Sequence, residues 1–137
     1  MQNQIKVMVF GSFDPMHKGH EDFFNQAKKF GDYLIVVVAR DKSIVKLKNH
    51  LPRFSEDERL AAVKENKLVD KAVLGNEKNY GAVIEELKPD IIALGYDQKI
   101  PETLKNTLKK YKIITLKPYM PEIYKSSKIY NKSGHYI

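Results

Sequence analysis

Gly11-Ser12-Phe13-Asp14-Pro15-Met16-His17-Lys18-Gly19-His20 joins an apolar run, residues 5–10, to a segment, residues 21–30, in which Phe23, Phe24, Ala27 and Phe30 recur at helical spacing. The run reads as a buried strand and the segment as a helix, so the ten residues form a strand-to-helix turn. In an open α/β sheet such a turn offers anions the unpaired N–H groups and the positive dipole end of the helix. His17 and His20 are three residues apart, on one side of the first helical turn. Gly19 between them has no Cβ and lets phosphates approach the backbone. Asp14-Pro15 is a turn signal that ends the strand. Imidazoles donate to phosphate oxygens and Lys18 adds a point charge, so a nucleoside triphosphate suits the turn. The spacing alone is equally that of an exposed histidine pair at a helix start. Zinc ligation is a third reading, but no Cys and no third ligand stands nearby. A Walker A loop and a dinucleotide Gly-x-Gly-x-x-Gly are both excluded by the residues present.

Beyond the turn the chain alternates. Residues 33–39, Tyr-Leu-Ile-Val-Val-Val-Ala, are continuous and rich in β-branched side chains, as in a parallel strand buried on both faces, and Gly31 before them ends the first helix. Residues 42–53 read as a basic loop carrying Lys46, Lys48 and His50, closed by Pro52 and Arg53, on the ligand side of the sheet. Ser55 followed by three acidic residues predicts a helix running to about Asn66, with Leu60, Ala61 and Val63 inward. Residues 69–74 form a third strand and 79–87 a helix with Val83, Ile84 and Leu87 on one face. A fourth strand follows at 91–94, a helix at 101–110 with Leu104 and Leu108 inward, and a fifth strand at 113–116. The strict alternation predicts a Rossmann-like, doubly wound five-stranded parallel sheet with helices on both faces. Gly95-Tyr96-Asp97-Gln98 leaves strand four at the same carboxyl edge as the histidine turn, where open α/β sheets bind ligands. There Asp97 serves either as a turn carboxylate or as an acceptor for a ribose hydroxyl, a base amine or a metal. Ser126 and Ser127, flanked by lysines after Tyr124, cap a last short helix and make a second anion site.

A chain of 137 residues is one domain, spanning 1–137, and at that size buries just under about 70% of its unfolded surface. Zero cysteines exclude a disulfide framework, a thiolate zinc site and a cysteine nucleophile. No apolar run approaches the ~20 residues of a membrane span and no signal-peptide pattern opens the chain, so a soluble cytoplasmic protein is expected. The formal charge of +7, from 24 Lys and Arg against 17 Asp and Glu, favours anionic partners. Arg40, Arg53 and Arg59 are the only arginines, so the excess is lysine spread over a solvated surface. No aromatic RNA-binding motif or zinc finger is present, and a nucleic-acid partner is not expected.

The decapeptide resembles the signature of the cytidylyltransferase-like nucleotidyltransferases, Gly-Thr-Phe-Asp-x-x-His-x-Gly-His, with Ser12 keeping the hydroxyl of the usual threonine. Leu94-Gly95-Tyr96-Asp97-Gln98 resembles the nucleotide-contacting element of archaeal-type FAD synthases. Met120-Pro121-Glu122-Ile123-Tyr124 lacks the Arg-Thr-Glu-Gly of the glycerol-phosphate cytidylyltransferases. The resemblance implies transfer of a nucleotidyl group from a triphosphate to a phosphorylated acceptor with release of pyrophosphate. ATP and FMN come first, CTP with glycerol 3-phosphate second, and a sugar phosphate third. The contrasting class is a non-catalytic basic module that binds nucleic acid. The resemblance further implies catalytic roles for His17, His20 and Lys18. It implies nucleotide contacts from Gly11, Ser12, Phe13, Gly19, Gly95, Asp97, Tyr124, Ser126 and Ser127. Substrate contacts would come from Asp14, Lys46, Lys48 and Arg59, the last matching an arginine common in this helix of the family. Mg2+ would arrive with the triphosphate and no metal would be held by the protein alone. A homodimer is implied, for which Tyr33, Tyr80 and Phe54 are candidate contacts.

Overall fold

The structure, a computed structural model, describes residues 4–118 apart from 78, 97, 99 and 101. Asp97, Tyr124, Ser126 and Ser127 therefore lie outside the described residues.

The apolar runs of the sequence become the two central strands, β1 (Lys6–Gly11) and β2 (Tyr33–Val38), paired in parallel over six residues. Their alternate side chains point to opposite faces. Val7, Val9, Leu34, Val36 and Val38 pack with Phe24 and Ala27 of α1 (Lys18–Lys28) and Val63 of α3 (Glu56–Lys64). Met8, Ile35 and Val37 pack on the other face with Val83 and Ile84 of α4 (Tyr80–Leu87) and Leu104 and Leu108 of α5 (Glu102–Leu108). β3 (Lys71–Leu74), β4 (Ile91–Leu94) and β5 (Lys112–Thr115) complete an all-parallel sheet in the order β3-β2-β1-β4-β5. The doubly wound five-stranded architecture is the one expected. Strand order reverses between β1 and β4, so the turns after those two strands share the ligand-binding crevice.

The opposite, amino edge is stapled by three aspartates, each standing immediately before a strand. Asp32 accepts from Ile5 N–H at 2.6 Å, Asp70 from Leu34 N–H at 2.8 Å and Asp90 from Lys6 N–H at 2.8 Å. This use of Asp70 is why the third strand starts at Lys71 rather than at Val69.

The loop expected over residues 42–53 is in part a helix, α2 (Asp41–Lys48). It buries Ser43 and Ile44, carries Lys46 and Lys48 in its last turn where they complement the dipole, and stops at Asn49 in the left-handed conformation with φ 64°. Two turns are too few for the charged sequence to show a helical period. At its start Glu56 of α3 supplies the missing cap, accepting from Asp41 N–H at 2.8 Å and pairing with Arg40 Nε at 3.1 Å. Two inward assignments also change. Ala61 is exposed, because α3 turns Arg59 and Val63 to the sheet, and Phe30 lies past the end of α1 and is 46% exposed. Tyr33 is half-buried against the second core cluster, whereas Phe54 is 42% exposed. Among the described residues no helix is long and apolar enough to cross a membrane.

Candidate active site

The turn after β1 is built on the Phe13 ring. Phe13 is 1% exposed and sits at φ 53°, a left-handed conformation that costs a non-glycine residue roughly 1–2 kcal/mol. Burial of the ring offsets that cost. It stacks edge-on against His20, with centroids 4.9 Å apart, and tilts against Phe24 at 5.5 Å. It also explains Gly11, since a Cβ there would fall 2.6 Å from Phe13 Cζ. The motif's glycine and phenylalanine thus form one unit, in which the absent side chain makes room for the buried one. The Asp14–Pro15 peptide that follows is cis.

His17 is the N-cap of α1 and His20 its third residue. Gly19 N–H donates to His17 Nδ1 at 3.0 Å, and His17 N–H donates to His20 Nδ1 at 3.2 Å. The imidazoles therefore do the reciprocal work of a capping box, in place of the usual Ser/Thr and Glu. An Nδ1 that accepts a backbone N–H has no proton, so each ring carries its proton on Nε2. The rings stack with centroids 3.9 Å apart. Burial is the main cause that pulls His20 down to about 3, reinforced by His17 and Lys48, and burial also lowers His17. Both are thus neutral imidazoles whose Nε2–H groups can donate at a helix N-terminus.

Lys48, at the end of α2, places its Nζ 3.5 Å from Ser12 Oγ, so α2 brings a cation back to the turn. Lys18 and Lys46 are exposed. Asp14 and Arg59, expected at the substrate, spend their side chains on the protein. The Asp14 carboxylate accepts from Arg53 N–H at 2.7 Å and from Phe54 N–H at 2.9 Å, tying the segment before α3 to the turn. Arg59 is 1% exposed. It donates from Nε to Phe54 O at 2.9 Å, from Nη1 to Ser12 O at 2.9 Å and Ala39 O at 2.7 Å, and from Nη2 to Asp41 Oδ1 at 2.7 Å. One guanidinium thereby fixes the turn after β1, the end of β2, the start of α2 and the strap into α3.

Across the crevice, Gly95 N–H donates to Gln98 Oε1 at 3.0 Å and Gln98 Nε2 donates to Phe10 O at 2.7 Å. Gln98 stood in the sequence motif without a role, and the available signal was an amide, able to donate and accept at once, four residues past a strand end. The fold thus brings together Gly11, Ser12, Phe13, His17, Gly19, His20 and Lys48, with Gly95 just past the end of β4. Among the described residues no group of three His, Cys, Asp or Glu side chains could hold a metal.

A family model described as Cytidylyltransferase-like matches residues 8–132. A FAD synthase of Thermoplasma volcanium is 42% identical over 133 residues, covering 93% of each chain. A FAD synthase of Aciduliprofundum boonei is 44% identical over 120 residues, covering 84% of this chain and 80% of its own. Among solved structures, a lipopolysaccharide core biosynthesis protein from Thermoplasma volcanium GSS1 superposes with a TM-score of 0.77 at 43% identity, over 85% of this chain and 99% of that one. A pantoate-beta-alanine ligase from Francisella tularensis, in complex with beta-gamma ATP and beta-alanine, superposes with a TM-score of 0.56 at 16% identity, over 89% and 62% of the two chains, a likeness of fold.

Proposed function

The chain belongs to the cytidylyltransferase-like family and is a nucleotidyltransferase, and we propose that the pair it joins is ATP and FMN, giving FAD and pyrophosphate. The observation that carries the chemistry is the histidine cap, which takes up both Nδ1 atoms and so leaves Nε2 as the proton-bearing nitrogen of each neutral ring at the start of α1. The choice of acceptor is supported by the FAD synthases that resemble this chain over most of its length.

In this reading an FMN phosphate oxygen attacks the α-phosphorus of ATP in line. A new P–O bond forms as the bond to the β-phosphate oxygen breaks, and the electron pair leaves with pyrophosphate. Phosphate is already ionised at neutral pH, so no general base is needed. His17 and His20 donate from Nε2 to the α-phosphate and the bridging oxygen, where negative charge grows. Removing a donor of this kind lowers the rate about 10²–10³-fold. Lys18 and Lys48 hold the outer phosphates, while Ser12, Gly19 and Gly95 seat the nucleotide. Asp14 and Arg59 act one step back, by fixing the turn and the strap.

The acceptor lies on the α2 side. The last turn of α2 and the strap from it to α3 interleave Lys46, Lys48 and Arg53 with Leu47, Leu51 and Phe54, the last three being 69%, 75% and 42% exposed. Cations beside a rigidly tethered aromatic suit a phosphate ester with a broad planar ring. Nucleotidyltransferases of this type use a divalent metal with the triphosphate. Phosphate oxygens are the hard ligands Mg2+ prefers, so the triphosphate itself would hold the ion, which would supply charge neutralisation there. Location in the cytoplasm, assembly as a homodimer and nucleotide contacts from Asp97, Tyr124, Ser126 and Ser127 belong to the same proposal.

The test is purified protein with Mg2+, ATP and FMN, with products separated by chromatography and pyrophosphate measured. FAD is expected, and its formation should fall about 10²–10³-fold in His20→Ala. A second reading, nucleotidyl transfer to a sugar phosphate, is favoured by the name of the lipopolysaccharide protein it superposes on. Parallel reactions with sugar phosphates, and with CTP and glycerol 3-phosphate, distinguish these acceptors. Product from either, with no FAD, overturns the flavin assignment.

A further inference from the structure

Three of the four strand junctions at the carboxyl edge close in the same way. Ala39 N–H donates to Gly11 O at 2.9 Å, Gly75 N–H to Val38 O at 2.9 Å and Leu116 N–H to Leu94 O at 2.8 Å. In each, the residue just after a strand bonds directly to the last paired carbonyl of its neighbour: Gly11 faces Val38, Val38 faces Leu74, and Leu94 faces Thr115. The junction of β1 with β4 is different. These strands pair at Val7 with Ile91 and Met8 with Ile92, and no further. Continued at the same offset, Phe10 would face Leu94 and Gly95 N–H would donate straight to Phe10 O.

Those are the two groups held by Gln98. Its Oε1 takes the Gly95 N–H at 3.0 Å and its Nε2 supplies the Phe10 carbonyl at 2.7 Å. The side chain satisfies both backbone groups while standing between them. It replaces one direct hydrogen bond, which would hold N and O about 2.9 Å apart, by two bonds with an amide in the middle. The interruption falls at the strand-order reversal, where a ligand enters. No other amino acid does this as well. An amide both donates and accepts, a carboxylate would face the Phe10 carbonyl with a second acceptor, and an apolar residue would leave two buried polar groups to find each other.

We propose that Gln98 is a positioning residue that wedges β1 and β4 apart and so sets the width of the crevice that receives the nucleoside of the triphosphate. The proposal rests on the nucleotidyltransferase reading of this site. It separates from that reading because the wedge has its own structural signature. In Gln98→Ala the strand ends zip together and the Gly95–Phe10 bond forms directly. The fold stays intact and the entrance narrows.

The experiment compares unaltered protein, Gln98→Ala and Gln98→Glu. Nucleotide affinity is measured with the non-hydrolysable α,β-methylene analogue of ATP, steady-state constants with ATP and FMN, and the Gly95–Phe10 hydrogen bond by trans-hydrogen-bond NMR coupling. The expected result for Gln98→Ala is a new Gly95–Phe10 coupling, at least tenfold weaker analogue binding and a raised KM for ATP. Its KM for FMN, its kcat and its thermal midpoint should stay close to those of the unaltered protein. Gln98→Glu should weaken the analogue without the new coupling, because its carboxylate still occupies the gap. Should Gln98→Ala fail to fold, Gln98→Asn, with both bonding groups on a shorter arm, should show a raised ATP KM, and an unchanged one overturns the wedge. Unchanged analogue affinity in Gln98→Ala, or a rise confined to the FMN KM, overturns the wedge and leaves the function standing. Absence of nucleotide binding by the unaltered protein overturns the proposed function and the role of Gln98 with it.

Discussion

His17 uses its two nitrogens differently: Nδ1 caps α1 by accepting Gly19 N–H, and Nε2 carries the proton that the proposed reaction assigns to phosphate. The two uses can be separated. In His17→Asp the carboxylate is a good cap but no donor, so the thermal midpoint should move by no more than a few degrees while kcat falls about 10²–10³-fold. Parallel loss of stability and rate would mean that the cap alone matters. His20 sets the acid limit. Its folded value is near 3 against an ordinary 6.5. The unfolded chain therefore binds the proton first, and stability present above pH 6.5 declines as pH falls from 6.5 towards 3. Urea unfolding at pH 7.5 and pH 5 should show a lower midpoint at pH 5, and the difference should shrink in His20→Asn. The His-x-x-His spacing predicted the shared side of the helix. It did not reveal that both Nδ1 atoms face the backbone, because that depends on ring torsions, His20 packing on Phe13 and His17 stacking on His20.

At the scale of elements, the site is a turn held by helices that do not contain it. Arg59 of α3 is the clearest case, with a buried guanidinium that reaches four separate segments. Arg59→Lys keeps the charge but cannot fork. It should cost on the order of 3 kcal/mol, roughly 10 °C in thermal midpoint. Catalytic efficiency should fall as well, since Ser12 loses its anchor, and calorimetry beside initial rates checks both. The family resemblance implied a substrate contact for this arginine. In the structure its guanidinium is taken up by four carbonyl and carboxylate partners, three of them distant in sequence, and no local pattern encodes them. The α2–α3 strap makes a different prediction. Asp14 and Arg59 fix its backbone while the Phe54 side chain stays exposed. Phe54→Ala should therefore raise the KM for FMN about tenfold, the loss of roughly 1.4 kcal/mol of ring stacking, and leave the KM for ATP unchanged. Steady-state kinetics with each substrate varied in turn reads the difference. An effect on ATP alone would place the ring on the nucleotide side.

The whole molecule is a small sheet whose two halves meet at the crevice, so a ligand that bridges them should stabilise it. Mg2+ and ATP at a hundred times the dissociation constant should add about 2.7 kcal/mol, roughly 8 °C in the thermal midpoint. Differential scanning fluorimetry checks this, and a shift with RNA but none with ATP would favour the basic binding module instead. The architecture was legible beforehand because alternation of buried strands with amphipathic helices admits few arrangements once crossovers must be right-handed. The first motif was legible because its glycines, histidines and proline act over ten contiguous residues. α2 was not, since a two-turn charged helix has no period to read and depends on Glu56 from another helix for its first cap. The roles of Asp14, Arg59 and Gln98 were hidden for the same reason. Sequence by itself determined the strands, their order of appearance and the placing of the histidine turn between strand and helix, all of which follow from neighbours along the chain. Only the tertiary structure decided which polar side chains hold the frame, because a hydrogen-bonding group is assigned by the partner that folding brings to it.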